Sequence, residues 1–68
     1  MQISARNRLK GQVTEVTKGA TTAHVKIDVG GTIVTSSITN QAVDELGLKV
    51  GDEAYAIVKA SDVMVGKD

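Results

Sequence analysis

The chain has 68 residues, one histidine, no cysteine, and eight basic against eight acidic side chains. Those counts exclude a disulfide or zinc-thiolate staple, a multi-histidine metal site or Cys-His dyad within one chain, and nucleic-acid binding by bulk phosphate neutralisation. One Tyr without Phe or Trp gives no stacking platform for single strands, and no run is long and apolar enough for a membrane span or signal peptide, so a cytoplasmic protein with no nucleic-acid or membrane partner is expected.

The first strand is predicted from about Ser4 to Thr17. Leu9, Gly11 and Val13 fall on one face, and Val16 breaks the alternation. A bulge near Gly11 or Glu15 accounts for that break. Lys18-Gly19 is a turn signal. The second strand is clearer: Thr21, Ala23, Val25, Ile27 and Val29 alternate with Thr22, His24, Lys26 and Asp28, an inner row against a polar outer one. Gly30-Gly31 reads as a two-residue hairpin turn, and Thr32 to Thr39 as the third strand.

The period then changes. Asn40 to Gly47 reads as one short helix, with Asn40 as N-cap, Gly47 at C′, and Ala42, Val43 and Leu46 as its apolar side. Glu53 to Ala60 is the fourth strand, with Ala54, Ala56 and Val58 alternating against Tyr55 and Ile57. Val63 to Val65 is a predicted fifth. The sum is an all-β fold: a small five-stranded OB-like barrel with one short helix between strands 3 and 4, an SH3-like barrel being the nearest rival. It forms a single domain over residues 1–68, without linker or repeat. Ten Val, five Ile and seven Ala make a thin core for a chain this short, and oligomerisation is the staple left to it. Met1 to Ile3 and Val63 to Val65 are the segments expected to pair across subunits.

The opening run Ile3-Ser4-Ala5-Arg6-Asn7-Arg8-Leu9-Lys10-Gly11-Gln12-Val13 resembles the molbindin (Mop) signature, roughly S-A-R-N-x-L-x-G-x-V. Ile38-Thr39 through Glu45-Leu46-Gly47-Leu48 and Gly51 resembles that family's second block, and Val58 to Met64 its third. The blocks occur in order over nearly the whole chain. The resemblance implies a free-standing TOBE-type domain that binds molybdate or tungstate in the cytoplasm. It implies a homo-oligomer, a hexamer built as a trimer of dimers, with oxyanion sites between subunits. No cofactor and no catalysis are implied.

On that resemblance the oxyanion-binding positions are Ser4, Arg6, Thr39, Ala42, Val43 and Lys59. Their chemistry fits a ligand that offers only acceptors. Arg6 can fork two N–H groups to two oxygens, and Lys59 adds a compact charge. Ser4 and Thr39 offer hydroxyls, and Ala42 and Val43 the backbone N–H groups of a helix N-terminus. Relatives often carry Ser or Gly at the last two positions, so only backbone donation carries over there. No side chain in the set is a direct ligand for a metal cation. Hexameric relatives have a second kind of site near three-fold axes, for which the turn Lys18, Gly19, Ala20 and Thr21 is the candidate here.

The function this implies is storage and buffering of molybdate or tungstate. The alternative is a ligand-sensing regulatory module acting through a partner protein; the lack of a DNA-binding or ATPase domain in this chain weighs against it. An enzyme is disfavoured because no nucleophile–base constellation is visible.

Overall fold

The computed structural model describes residues 1–68. The chain runs β1 (Asn7–Lys18), β2 (Thr22–Asp28), β3 (Ile33–Thr39), α1 (Asn40–Leu46), β4 (Glu53–Val58) and a 3-10 turn at Ala60–Asp62. The strands form one antiparallel sheet in the order β3-β2-β1-β4. β1 is the hub. Its first half pairs with β4, from Asn7 opposite Val58 to Gln12 opposite Glu53. Its second half pairs with β2, from Gln12 opposite Asp28 to Lys18 opposite Ala23.

Two features let one strand serve both neighbours. A Cβ on Gly11 would lie 2.3 Å from the Asp28 carbonyl oxygen and 2.8 Å from Ile27 Cγ2, so only glycine admits β2 this close. Between Val13 and Glu15 the register shifts, leaving Thr14 as the extra residue of a β-bulge. The bulge returns Val16 to the inner face beside Val13, which explains the broken alternation in the sequence. The sheet curls into an OB-like half-barrel.

The core is small. Val13, Ala23, Val25, Ile27, Val43 and Ala56 are the six buried residues. The inner row of β2 supplies three of them, and β2 reads as the sequence pattern predicts. At the β2–β3 turn, Gly30 and Gly31 have φ of +84° and +99°. The Asp28 carboxylate accepts from the Gly31 N–H at 2.7 Å, and the Val29 N–H donates to the Thr32 carbonyl at 2.8 Å.

The helix ends differ in how well the sequence announces them. Gly47, in the left-handed region, donates to the Asp44 carbonyl, and Leu48 N–H donates to the Val43 carbonyl, a Schellman closure with Leu48 packed near Val43. At the other end the cap is Thr39 rather than Asn40. Thr39 is the last extended residue of β3, and its hydroxyl accepts from the Ala42 N–H at 3.0 Å. Asn40 is already helical and turns its polar groups toward the β1–β2 connection.

The predicted fifth strand does not form. After Val58 the chain makes the 3-10 turn, and Val63 to Val65 stay exposed with no sheet partner. A strand needs a neighbour to pair with, and within one chain this segment pairs with neither of the free edges, β3 and β4. Met64 and Val65 are each 93% exposed and Leu46 is 69% exposed, while β3 and β4 leave an open apolar groove of about 620 Å³ between them.

Candidate functional site

Two groups of predicted site residues emerge, one at each wall of that groove. The first is built by the β1–β4 corner. Arg6 and Lys59 each lie one residue beyond the last paired positions, Asn7 and Val58. The Asn7 side-chain amide donates to the Val58 carbonyl at 3.2 Å and ties the corner together. Ser4 lies two residues before Arg6, and all three candidates are exposed.

The electrostatics of this corner differ from the rest of the surface. Four of the eight cations are paired: Lys10 with Glu53 at 3.5 Å, Lys26 with Glu15 at 3.4 Å, Lys49 with Asp52 at 3.5 Å, and Lys18 with Asp44. Arg6, Arg8, Lys59 and Lys67 have no ion-pair partner. Three of these four stand on the β1–β4 corner. A chain with zero net charge therefore concentrates its free positive charge in one place.

The second group lies at the start of α1. Thr39 is exposed and keeps its hydroxyl proton free to donate while its oxygen accepts from Ala42. The Ala42 N–H is thereby engaged, not free as the sequence suggests. Val43 is 3% exposed and belongs to the core; its N–H falls where the helix ladder begins, opposite the carbonyl of the N-cap residue. The difference follows from the cap sitting one residue earlier than predicted. Ile38 and Val58, the residues before Thr39 and Lys59, both line the groove. No strand pairing joins β3 to β4, so the two groups stand on separate walls.

The turn Lys18 to Thr21 belongs with the second group. The Asn40 N–H donates to the Thr21 carbonyl and the Asn40 side-chain amide to the Gly19 carbonyl, both at 2.9 Å. The Gly19 N–H donates to the Thr22 carbonyl at 2.7 Å, and Lys18 is held by Asp44 on the helix. The Lys18 ammonium, both backbone groups of Gly19 and the Thr21 carbonyl are thus already committed within the chain. Asn40 Oδ1 is buried without a partner. His24 stands exposed on the outer row of β2, between Thr17 and Ser37.

Sequence reasoning misses the two asparagine clamps. Asn7 stands inside the S-A-R-N run, where an amide between the charged Arg6 and a strand start is the available signal. Asn40 reads as a cap because Asn favours that position; nothing local in the sequence shows its contact with a turn some twenty residues earlier.

The residues present suit an oxyanion better than a cation. No cluster of three or more His, Cys, Asp or Glu side chains is placed to hold a metal ion. No helix is long and apolar enough to cross a membrane.

Comparison with known proteins places the chain in a family. Residues 3–65 match the model of the TOBE domain. The chain is 54% identical over 67 residues, covering 97% of both sequences, to a "probable molybdenum-pterin-binding protein" of Haemophilus influenzae. A molybdate-binding protein from Sporomusa ovata superposes with a TM-score of 0.94 at 40% identity, over 98% of this chain and 100% of that one. The cytoplasmic molybdate-binding protein ModG, solved with molybdate bound, gives 0.89 at 48% identity, over 94% of this chain and 46% of that one.

Proposed function

The chain belongs to the molbindin group of the TOBE-domain family, and from that premise we propose that it stores and buffers molybdate at sites completed between copies of itself. The family is one of molybdate-binding proteins and not of enzymes. Molybdate is the ligand that this membership supports for the chain. Storage, tungstate as a second ligand, the subunit-shared site and a cytoplasmic place of action form the proposed part.

The observation that carries the site is the free positive corner, with Arg6 and Lys59 each one residue beyond the Asn7–Val58 pair and neither in an ion pair. A dianion placed there meets a guanidinium fork, an ammonium and the Ser4 hydroxyl. The two charged groups are donors only, and the hydroxyl is the one group here that can also accept. Molybdate, tungstate and sulfate carry no proton near pH 7, whereas phosphate does. A site dominated by guanidinium and ammonium donors leaves that proton facing another donor unless a hydroxyl turns to accept it, which then withdraws a donor from the anion. Sulfate meets the charge requirement but has shorter bonds, so it does not reach every donor. Tungstate has nearly the size and charge of molybdate and is bound alike.

The shared site follows from the groove. Thr39 sits on one wall and Lys59 beyond the other, and the groove between them is apolar and open. A second copy seated against it would cover Leu46 and the β4 edge, and would bring Thr39 of one protomer toward Arg6 and Lys59 of the next. We propose the hexamer of three dimers as the assembled form. Ser4, Arg6, Thr39 and Lys59 then contribute side chains. Ala42 contributes only by releasing its N–H from the Thr39 cap and Val43 only by releasing its N–H from the helix ladder, and the Lys18–Thr21 turn only by releasing Lys18 from Asp44.

Calorimetry with molybdate, sulfate and phosphate, on protein sized by light scattering, tests this reading. About one or more molybdates per chain bound to a hexamer, with weak sulfate, supports storage. An assembled oligomer that binds no molybdate refutes it.

A further inference from the structure

Arg8 has no assigned part in the site, yet its setting is unusual for this surface. It is the second residue of β1 and pairs with Ile57, two positions along the strand from Arg6. Along β1, Asn7 is half-buried while Arg8 is exposed, and strand alternation puts Lys10 on the same side as Arg8. Lys10 is neutralised by Glu53 at 3.5 Å. Arg8 has no such partner. The carboxylates nearest along β4 and the turn after it are Glu53, already paired with Lys10, and Asp62, three residues past Lys59.

We propose that Arg8 is a steering residue: it does not hold the anion, but its unneutralised charge speeds capture by Arg6 and Lys59. The proposal rests on the site reading given above. Two residues along a strand separate the Arg6 and Arg8 Cα atoms by about 7 Å, so Arg8 is rooted beside the site. A unit charge about 8 Å from a dianion in water favours its approach by about fivefold at low salt. A Debye length of about 8 Å at physiological ionic strength reduces that to about twofold. Such long-range attraction acts on the association rate and leaves the escape of bound ligand nearly unchanged. The paired strand fixes the root of the Arg8 side chain beside the site.

The test is stopped-flow binding of molybdate to the assembled protein, read with a molybdate-chelating dye at about 10 mM and about 500 mM NaCl. Arg8→Gln is expected to lower the association rate about fivefold at low salt, to match wild type at high salt, and to keep the wild-type dissociation rate. Arg8→Lys is expected to restore the rate. Lys67→Gln removes an unpaired cation far along the chain from the corner, and is expected to change nothing, which separates local charge from net charge. A faster dissociation with unchanged association would make Arg8 a ligand and overturn steering. Equal association rates in wild type and Arg8→Gln at low salt would also overturn it, as would a wild-type rate insensitive to salt, a reading that needs no variant to fold. Wild-type protein that binds no molybdate overturns the site reading and the steering role with it.

Discussion

The amide of Asn7 donates to the Val58 carbonyl of the neighbouring strand at 3.2 Å, and the two candidate anion-binding cations follow one residue beyond that bond, one on each strand. The bond sets the spacing of Arg6 and Lys59 without touching a ligand. Asn7→Ala removes one half-buried hydrogen bond, worth about 1 kcal/mol of stability. Its effect on molybdate is expected to be larger, about tenfold in Kd, because two donors lose their common reference. Asn7→Asp keeps the shape but offers Val58 no donor, so it is expected to behave like the alanine variant. Urea unfolding and calorimetry on the same samples separate the two effects.

Arg6 and Lys59 are expected to differ in weight. A guanidinium engages two oxygens at once and an ammonium acts as a point charge. Arg6→Ala is expected to weaken molybdate binding about a hundredfold, and Lys59→Ala about tenfold. Arg6→Lys is expected to recover only part of the loss. Neither residue is packed or paired in the protomer, so unfolding midpoints are expected to stay at the wild-type value. Titration calorimetry with a parallel denaturation series checks both statements.

Thr39 carries two roles that a pair of substitutions separates. Thr39→Ala removes the acceptor for the Ala42 N–H, a cap loss of about 1 kcal/mol. Thr39→Ser keeps both the cap and a donating hydroxyl. If Thr39 also meets the anion, alanine weakens molybdate binding and serine does not. If the hydroxyl serves the helix alone, alanine lowers the unfolding midpoint with Kd unchanged.

Gly11 tests the bend of β1. An added methyl would meet backbone, the Asp28 carbonyl at 2.3 Å, and not the end of a flexible side chain. Relief requires β1 and β2 to part where β4 also joins. Gly11→Ala is expected to destabilise the fold by about 2–4 kcal/mol or to prevent folding. A thermal midpoint within a few degrees of wild type would show that the close approach is dispensable.

The same residues mark what is legible in the sequence. The inner row of β2, the Gly30-Gly31 turn and the Schellman closure at Gly47 are local patterns, and each forms where the sequence indicates. The break at Val16 is readable as a bulge because a single inserted residue shifts a period-two pattern by one position. The helix cap falls one residue earlier than the sequence indicates because Thr39 and Asn40 are both good caps, and the choice depends on β3 ending at Thr39. The site is legible only as a set of donors. That Arg6 and Lys59 share a corner depends on β1–β4 register, a pairing across some fifty residues that no local pattern encodes.

The tail from Val63 onward is the largest departure from the sequence pattern and leads to the last prediction. Val63, Met64 and Val65 have strand composition, but two of them are 93% exposed and none pairs within the chain. A three-residue apolar segment left in water is unfavourable, and the open sheet edges offer unpaired backbone groups. Adding this segment to an edge of another copy satisfies both. Deleting residues 63–68 removes none of the six buried core residues, so the protomer fold is expected to persist by circular dichroism. Its assembly is expected to fall to smaller species at micromolar concentration by light scattering. Molybdate binding is expected to weaken in step, because Thr39 of one copy then no longer meets Arg6 and Lys59 of another. A truncated protein that stays monomeric yet binds molybdate with wild-type affinity would show that the site is complete within one chain.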